Sequence, residues 1–381
     1  MPTLLTNVAD ILKKDISPEV MDLMPKQKIL MSQIKKNQGV EPLGTDKFYV
    51  SLRTGRIVNG TASENATIYK GQVAYDQSLI QCKWNFISIE VSDQMLDATK
   101  QGRGSLKNML KELPLNMASD LAKNENVILN GYGTGQLALV NGTTGSQTVI
   151  TVDTPGTRYL EPGQYIDING DAATILTVDS DTQITLTGAI TVADNEVIKP
   201  YGCDDPMGIL GYIDDGDYVG TFQSILHTAP YWKAYCEDTA EELDLDMIRK
   251  GIRKAKQYAR GKMFVITGED LYGKVGTLLS PYLRSADLRE KLVGWDEDGI
   301  QLTPGVGLFL DYDCWDGMMF GIDTSSITIG ELTPFAWLEA PLAGIFDKVA
   351  DKANYVATGK HYWNLAGKDP RANFRLSGKT V

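Results

Sequence analysis

The sequence predicts an α+β protein, because three kinds of pattern follow one another along its 381 residues. Apolar residues recur every three or four positions from Leu106 to Leu121, which predicts a long helix. Apolar and polar residues alternate over 47–58 and 79–91, which predicts strands. After residue 239, helical periodicity alternates with short apolar runs, which is typical of a mixed lobe.

The composition is that of an ordinary folded protein, with 43% hydrophobic and 23% charged residues. A chain of this length exceeds the size at which one core keeps growing, so we expect two or three lobes. The net charge of -12 argues against a protein that coats nucleic acid and favours a soluble subunit.

The sequence also bears on location. No apolar run approaches the roughly 18 residues that a membrane span needs, and the first residues lack a signal-peptide pattern, so we expect synthesis in the cytoplasm and no membrane. The cysteines are widely spaced and form no CxxC pair, which predicts unpaired thiols in a reducing compartment. They are Cys82, Cys203, Cys236 and Cys314.

Residues 1–45 are predicted to form an arm, because their small apolar groups are separated by Pro18 and Pro25 and cannot build a core. The arm must pack on something else, such as a neighbouring subunit. Its lysines favour a solvated surface, with a surface facing DNA as the lesser alternative. Residues 46–90 follow as a two-stranded extended loop, which is marginal alone and needs a partner. One predicted face carries Phe48, Val50 and Leu52, and the other strand carries Ile80, Cys82, Trp84, Phe86 and Ser88 on one side.

The predicted long helix lies within 91–135. Ser105 can cap it, Pro114 predicts a kink, and the glycines from Gly131 onward predict its end. A helix that reaches Leu129 has about 24 residues and a length of roughly 36 Å. Its apolar stripe predicts a spine that lies along something large. The stripe consists of Leu106, Leu110, Leu113, Met117 and Leu121.

Residues 136–200 change character, since short alternating segments are separated by turn clusters such as Asn169-Gly170-Asp171. From Gly133 to Ile198 the only basic side chain is Arg158. This predicts an inserted, acidic all-β module, either a small sandwich or a barrel.

The remainder predicts an α+β lobe. Thr239 and Glu242 have the spacing of a capping box, ahead of a helix that carries Leu245, Ile248, Ile252, Ala255 and Ala259. We expect a buried strand at 262–267, a helix at 269–279, and strands at 307–310, 318–322 and 326–329. From residue 346 the pattern returns to long strands.

No catalytic constellation is found, and we predict no enzyme, no catalytic residue, no cofactor and no metal site. His227 and His361 are interpreted as surface or packing residues rather than general bases. Two acidic segments are candidates for calcium loops: Asp311-Tyr312-Asp313 with Asp316, and Asp214–Asp217. Neither has the EF-hand spacing, so polar turns are favoured. A basic run favours a solvated helix face over a nucleic-acid site; it consists of Arg249, Lys250, Arg253, Lys254, Lys256 and Arg260.

The order of these parts resembles the major capsid proteins of tailed bacteriophages, the Hong Kong 97-type fold. The resemblance rests on the segment Ile87 to Leu96, on the long helix ending in Asn130-Gly131, and on the return at 205–210. Trp337-Leu338-Glu339 and Lys360 to Trp363 add to it. The resemblance implies an arm (1–45), an extended loop (46–90), a spine helix (91–135), an inserted all-β domain (136–200), peripheral (201–238) and axial α+β (239–335) domains, and closing strands (336–381).

If the resemblance holds, the chain assembles into pentamers and hexamers of an icosahedral head shell around double-stranded DNA, without sequence-specific binding. The implied partners are a separate scaffolding protein, a portal and a decoration or cement protein. Some relatives crosslink through a loop lysine, but nothing local marks Lys47, Lys70 or Lys83 as reactive. Two alternatives remain: an encapsulin-like nanocompartment shell, and a carbohydrate-binding surface protein that uses Tyr159 and Tyr165.

Overall fold

The structure is a computed structural model that describes residues 29–34, 36–37, 39–44, 46–55, 73–94, 109–142, 144–153, 155–202, 205–283, 295–296, 299–338, 346–349 and 352–381. The predictions made for arm residues 1–28, for the tip of the extended loop with Lys70, for the helix start at Ser105 and for Cys203 lie outside the described residues.

The first part of the chain forms a three-stranded antiparallel sheet and a long helix. Its elements are α1 (Ile29–Gln33), β1 (Glu41–Leu43), β2 (Lys47–Arg53), β3 (Tyr75–Gln81), β4 (Lys83–Ser92) and α2 (Met109–Asn130). The strand order is β1-β2-β3, and β2 pairs with β3 from Lys47↔Gln81 to Arg53↔Tyr75. Phe48, Val50 and Leu52 are buried together, so the predicted face of β2 is confirmed.

Six strands then close into a barrel in the order β10-β5-β6-β9-β8-β7. They are β5 (Ala138–Val140), β6 (Gly145–Asp153), β7 (Tyr165–Ile168), β8 (Asp171–Ser180), β9 (Gln183–Val192) and β10 (Val197–Pro200). Alternating residues such as Ile150, Ile166 and Ile184 point inward and form a core separate from the rest of the molecule. Of the two all-β arrangements expected, the chain therefore adopts the barrel.

The next elements lead into the mixed lobe. They are α3 (Ile209–Tyr212), β11 (Thr221–Phe222), β12 (Ile225–Leu226), β13 (Tyr235–Glu237), β14 (Glu241–Glu242), α4 (Leu245–Lys256), β15 (Met263–Thr267), α5 (Glu269–Leu283), β16 (Trp295–Asp296), β17 (Gly299–Thr303), β18 (Val306–Leu310) and β19 (Met319–Asp323). The chain finishes with β20 (Ile327–Trp337), β21 (Phe346–Lys348), β22 (Asn354–Gly367), a 3-10 turn (Pro370–Ala372), β23 (Phe374–Leu376) and β24 (Lys379–Thr380).

A seven-stranded sheet in the order β13-β23-β19-β15-β18-β17-β16 organises this lobe. All five residues of β15 are buried, because Met263 and Val265 face a core with α4 and α5, whereas Phe264 and Ile266 face the larger core. The Phe374 ring lies against Gly321, where a Cβ atom would stand 1.9 Å from a ring carbon. Only glycine therefore fits at that position of β19.

The predicted capping box at Thr239 and Glu242 is wrong. Glu241–Glu242 forms β14, which pairs in parallel with β24. Helix α4 begins instead after Asp244, whose carboxylate accepts a hydrogen bond from the Leu245 backbone N–H. The local structure here depends on pairing with β24, which lies more than 130 residues further along the chain. The spacing of residues near Thr239 does not reveal this partner.

A four-stranded sheet forms the other main layer. Strand β22 pairs on one side with β20 and β21 and on the other with β4, from Lys83↔Trp363 to Ser92↔Asn354. Helix α2 lies against β4. The segment 79–91 is therefore not one strand: it breaks at Cys82, and its halves join different sheets. Ile80 and Cys82 are buried, whereas the exposed fractions of Trp84 and Phe86 are 47% and 55%.

The end of the chain is divided between both sheets. Strand β22 lies in the four-stranded sheet, but β23 is inserted between β13 and β19 of the seven-stranded sheet. Residues 336–381, which the resemblance assigns to closing strands and the C-terminus, therefore contribute strands to both sheets. Within the described ranges, no helix has the length and apolar character that a membrane crossing requires.

Candidate assembly site

Glu125 is a buried acid on the apolar face of helix α2. Met117, Leu121, Glu125 and Leu129 recur at intervals of four, which places them along one side of the helix. All four are buried, and the exposed fraction of Glu125 is 0%. A buried carboxylate destabilises the folded state unless neighbouring groups compensate its charge. The side chains around Glu125 must therefore supply these partners.

His361 of strand β22 is the main partner of this carboxylate. Its Nδ1 atom contacts the Glu125 carboxylate, and its Nε2 atom lies 2.7 Å from Oε1 of Glu331 on β20. The Trp363 indole N–H donates to Glu125 Oε1 at 3.1 Å. An ionised carboxylate only accepts hydrogen bonds, so two ionised acids in these positions call for a proton on both ring nitrogens of His361. The geometry fits an imidazolium that lies between Glu125 and Glu331.

Electrostatics agree with this geometry. Burial alone would lower the pKa of His361, but the negative charge of Glu125 and the hydrogen bonds to Glu125 and Glu331 outweigh it and raise the pKa to about 9. Burial would likewise raise the pKa of Glu331, but hydrogen bonds from His361 and Lys36 lower it to about 2. Both groups are therefore charged across the neutral range.

The segment that follows α1 joins the same cluster. Lys36 Nζ lies 2.9 Å from Glu331 Oε1, and Asn37 exchanges hydrogen bonds of 3.0 and 2.7 Å with the backbone of Glu331. Leu30, Met31 and Ile34 enter the large core just before this point. We call Lys36, Glu125, Glu331, His361 and Trp363 the junction cluster, because they join the segment after α1, the long helix and the four-stranded sheet.

A second feature is an aromatic face on the same sheet, which we define as Trp84, Phe86 and Tyr362. The Trp84 and Tyr362 ring centroids are 4.5 Å apart, and those of Phe86 and Tyr362 are 5.6 Å apart, both edge to face. Within the described ranges, β4 pairs only with β22, so its other edge is open. Exposed aromatic side chains beside an open strand edge are typical of an interaction surface.

Arg375 on β23 is the second buried charge centre. Its exposed fraction is 0%, and it binds Asp214 at 2.8 Å and Asp238 at 3.0 Å. Burial would raise the pKa of Asp214, but the backbone N–H of Val219 and the Arg375 guanidinium outweigh it and lower the pKa. The Tyr218 ring stacks on the guanidinium at 4.8 Å. This centre fastens the 214–219 loop to the seven-stranded sheet.

The Asp214–Asp217 segment considered as a calcium loop therefore surrounds an arginine. Carboxylate oxygens of Asp215, Asp217 and Asp238 lie within 4.8 Å of one another, and the mutual repulsion, chiefly from Asp215, raises the pKa of Asp217. Carboxylate oxygens of Asp215 and Asp238 lie 3.6 and 3.0 Å from Arg375 Nη2. The guanidinium supplies the positive charge that this acidic group needs.

The two histidines have different surroundings. His227 is fully buried, stacks on Phe222 with ring centroids 6.3 Å apart, and has a pKa that burial lowers. It is a neutral packing residue, which agrees with the interpretation from the sequence. His361 is buried too, but it is a charged partner of two acids, which the sequence did not indicate.

The other residues selected from the sequence are dispersed. Most of the basic run on α4 is exposed; Lys250 pairs with Glu237 at 2.9 Å, and Arg249 with Asp246 at 3.8 Å. This is the solvated face that the sequence favoured. Cys82, Cys236 and Cys314 are free thiols. Lys47 is exposed on β2, and Lys83 begins β4.

One signal in the sequence could have revealed the junction cluster. Glu125 continues the four-residue spacing of Met117 and Leu121, so a charged residue falls on an apolar stripe. Its partners carry no such signal, because Glu331 and His361 meet it only through the pairing of β20 and β22. The aromatic face was missed because 79–91 reads as one continuous strand.

Comparison with solved structures identifies the fold. The protein is similar to the capsid of a native GTA particle, with a TM-score of 0.51 and 14% identity over 92% of this chain and 90% of that chain. It is similar to the capsid of cyanophage A-1(L), with a TM-score of 0.54 and 10% identity over 92% of this chain and 93% of that chain. No family model matches the sequence, and no curated protein matches it.

The chain therefore has the fold of phage capsid proteins. The resemblance inferred from the order of the sequence elements is confirmed at the level of the fold. The matches cover at least nine-tenths of each chain, so the likeness of fold is not limited to one lobe.

Proposed function

We propose that this protein is the structural subunit of a phage head shell. The observation that carries the proposal is the capsid fold over more than nine-tenths of the chain. The subunits would form pentamers and hexamers that join into an icosahedral shell around double-stranded DNA. The net charge of -12 is consistent with DNA that is enclosed by the subunits without being coated or specifically bound by them.

The division into parts is also a proposal. The arm and the extended loop reach neighbouring subunits, the barrel of 136–200 is an inserted domain on the outer surface, and the two sheets form the peripheral and axial domains. Partners would be a separate scaffolding protein, a portal and a decoration or cement protein. Assembly in a host bacterial cytoplasm follows from this role.

Electron microscopy of the purified full-length chain, alone and with a co-expressed scaffold, tests the proposal. Rings of five or six subunits or closed shells are expected. A compact monomer under every condition, including high protein concentration and crowding agents, would contradict a role as a shell subunit.

We expect the aromatic face to contribute to contact between subunits, because Trp and Tyr anchors dominate such interfaces. The variant Trp84→Ala with Phe86→Ala should raise the protein concentration needed for assembly by roughly 30-fold, equivalent to about 2 kcal/mol per contact. The measurement is the concentration dependence of light scattering and of particle number in micrographs.

A matched control replaces exposed aromatic residues elsewhere. Tyr165 and Tyr201 form a ring pair on the barrel, with exposed fractions of 51% and 56%. Their double alanine variant should assemble at the wild-type concentration. Equal losses in both variants would mean that the aromatic face has no special role.

Covalent crosslinking between subunits is not expected, since neither Lys47 nor Lys83 has surroundings that mark it as reactive. Denaturing electrophoresis of assembled particles should show one band at 41.8 kDa. A ladder of higher bands would contradict this prediction and would direct attention to the lysines of the extended loop.

The nanocompartment alternative keeps the same fold and changes the content. Nuclease treatment of the particles distinguishes the two: a head shell retains protected DNA after packaging, whereas a compartment retains a cargo protein.

One observation favours the carbohydrate-binding alternative, because the Tyr165 and Tyr201 rings lie 4.7 Å apart on the surface. Tyr159 does not support it, since its hydroxyl group bonds to the Asp313 carbonyl at 3.2 Å.

A further inference from the structure

The outer side of helix α4 and the turn after it carry a concentrated positive charge. From Arg249 to Lys262 the sequence has seven basic residues and no acidic one, although the whole chain has a net charge of -12. Ile248, Ile252 and Ala255 turn toward the core of the mixed lobe. The basic residues occupy the other positions of the helix and therefore lie away from that core.

Most of these charges have no acidic partner in the part of the chain that the structure describes. Arg249 pairs with Asp246 at 3.8 Å, and Lys250 pairs with Glu237 at 2.9 Å. The other five basic residues are exposed, and no ion pair is found for them within the described ranges. We call these five the basic face: Arg253, Lys254, Lys256, Arg260 and Lys262.

The stability of the helix does not account for this arrangement. Lys250 and Lys254 stand four positions apart, and Arg253 and Lys256 stand three apart, so like charges repel along the helix surface. Cations in the last turn interact favourably with the helix dipole, but Arg260 lies beyond the helix end. The subunit therefore presents positive charge that its described residues do not compensate.

The barrel has an acidic end, away from its connections to the rest of the chain. Strands β5 and β10 pair antiparallel where the chain enters and leaves the barrel, so the turn after β5 and the turn before β10 lie at the opposite end. There the Gly142 backbone N–H donates to Asp194 Oδ1 at 2.6 Å. The turn between β7 and β8 joins them, since Asn169 Nδ2 donates to Glu196 Oε1 at 2.7 Å.

These three turns contain no basic residue. The acids at this end, which we call the barrel tip, are Asp171, Asp194 and Glu196. Asp171 and Asp194 are exposed and Glu196 is half-buried. The barrel tip therefore presents negative charge to its surroundings, as the basic face presents positive charge.

The two surfaces are complementary but do not meet within one subunit. Among the described residues, no ion pair joins the barrel tip to the basic face, and α4 packs on strands of the seven-stranded sheet. In a second copy both surfaces are available again. A contact between two different surfaces of identical chains is heterologous, and its repetition around an axis closes a ring. Since copies with a net charge of -12 repel each other overall, the basic face offers a region of attraction.

We propose that the barrel tip of one copy docks on the basic face of a neighbouring copy. This contact rests on the proposed function, since it requires that copies associate, and it adds which surfaces meet. Charge pairs at an interface mainly direct encounter and fix orientation, whereas the aromatic face supplies apolar contact. A DNA duplex is the other polyanion that a basic surface fits. The net charge of -12 disfavours DNA, which remains an outcome of the test.

The test is an exchange of charge in the full-length chain. One variant reverses the basic face by Arg253→Glu with Lys256→Glu, and another reverses the barrel tip by Asp171→Lys with Asp194→Lys. Each should raise the protein concentration needed for assembly about tenfold. Both reversals in one chain should return it to within about threefold of the wild type, because opposite charges face each other again. Light scattering and micrographs give the measurement.

A matched control reverses two exposed lysines elsewhere, Lys348→Glu with Lys352→Glu, with the same change of net charge. It should assemble at the wild-type concentration. An equal loss in this control would show that net charge alone acts and would overturn the proposal. If the reversed basic face prevents folding, Arg253→Ala with Lys256→Ala takes its place and should raise the assembly concentration about threefold.

The remaining outcomes distinguish this contact from the proposed function. A wild type that never associates would overturn both. Normal assembly of both reversed variants would overturn only the contact between barrel tip and basic face. If the reversed basic face assembles normally but loses the binding of a fluorescent DNA duplex that the wild type shows, the basic face serves nucleic acid and the proposal is wrong.

Discussion

Replacing His361 with alanine is expected to lower the free energy of unfolding of the monomeric protein by roughly 4 kcal/mol. The substitution leaves Glu125 and Glu331 without the cation that lies between them, and Glu125 is fully buried. Urea unfolding followed by tryptophan fluorescence gives the measurement, because Trp363 donates to the same Glu125 carboxylate.

The effect should depend on pH in one direction. The folded-state pKa of His361 is about 9, above the ordinary value of 6.5. Its contribution, on the order of 3 kcal/mol, is therefore complete below pH 6.5 and is lost as the pH rises through 9. The wild type should approach the stability of His361→Ala as the pH rises past this value.

The control for this prediction is Lys352→Ala, which removes a surface ion pair with Glu90 at 3.9 Å. Since both side chains are largely exposed, the change should be within about 0.5 kcal/mol. A difference between wild type and His361→Ala that stays constant from pH 6 to pH 10 would show that His361 is neutral in the folded protein, contrary to the double carboxylate contact.

Replacing Arg375 with methionine should have a comparable effect, a loss of roughly 4 kcal/mol. Methionine approximates the aliphatic volume of arginine, but Asp214 then stays buried without a cation. Neutralising that acid by the additional substitution Asp214→Asn should restore a large part of the loss. Thermal and urea unfolding of the single and double variants measure both effects.

Arg371→Met is the matched control, since Arg371 also pairs with an aspartate, Asp369, at 2.8 Å. Its side chain is 29% exposed and that of Asp369 is 24% exposed, so water compensates much of the lost interaction. We expect a loss below about 1 kcal/mol. Equal losses for Arg371→Met and Arg375→Met would mean that burial of the Arg375 centre does not determine its importance.

Local sequence patterns predicted the buried faces of individual strands and helices, because the geometry of one element alone determines them. The alternation of Phe48, Val50 and Leu52 gave the buried face of β2, and the spacing of Leu245, Ile248 and Ile252 gave the buried face of α4. Both follow from a period of 2 or 3.6 residues, which a single element sets without help from others.

Features that depend on pairing between strands far apart in the sequence could not be predicted from local patterns. The residues around Cys82 suggested one continuous strand, but Cys82 separates two strands of different sheets. The residues around Glu241 suggested a helix cap, but Glu241 pairs with Lys379 in a sheet. The charged sites show the same limit. Glu125 is conspicuous as a charged residue on the apolar face of α2. Its partners, however, reach it only through the register of β20 against β22, and local sequence patterns do not reveal that register.

The same long-range pairing has a consequence for how the protein is made. Strand β4 needs β22, and roughly 260 residues lie between them. At about 5–20 residues per second, the ribosome takes roughly 13–50 s to produce that interval. During this time Trp84 and Phe86 belong to a strand that lacks its partner strand β22. On ribosome-bound nascent chains, the residues of the aromatic face are therefore accessible to chaperones and to other nascent chains.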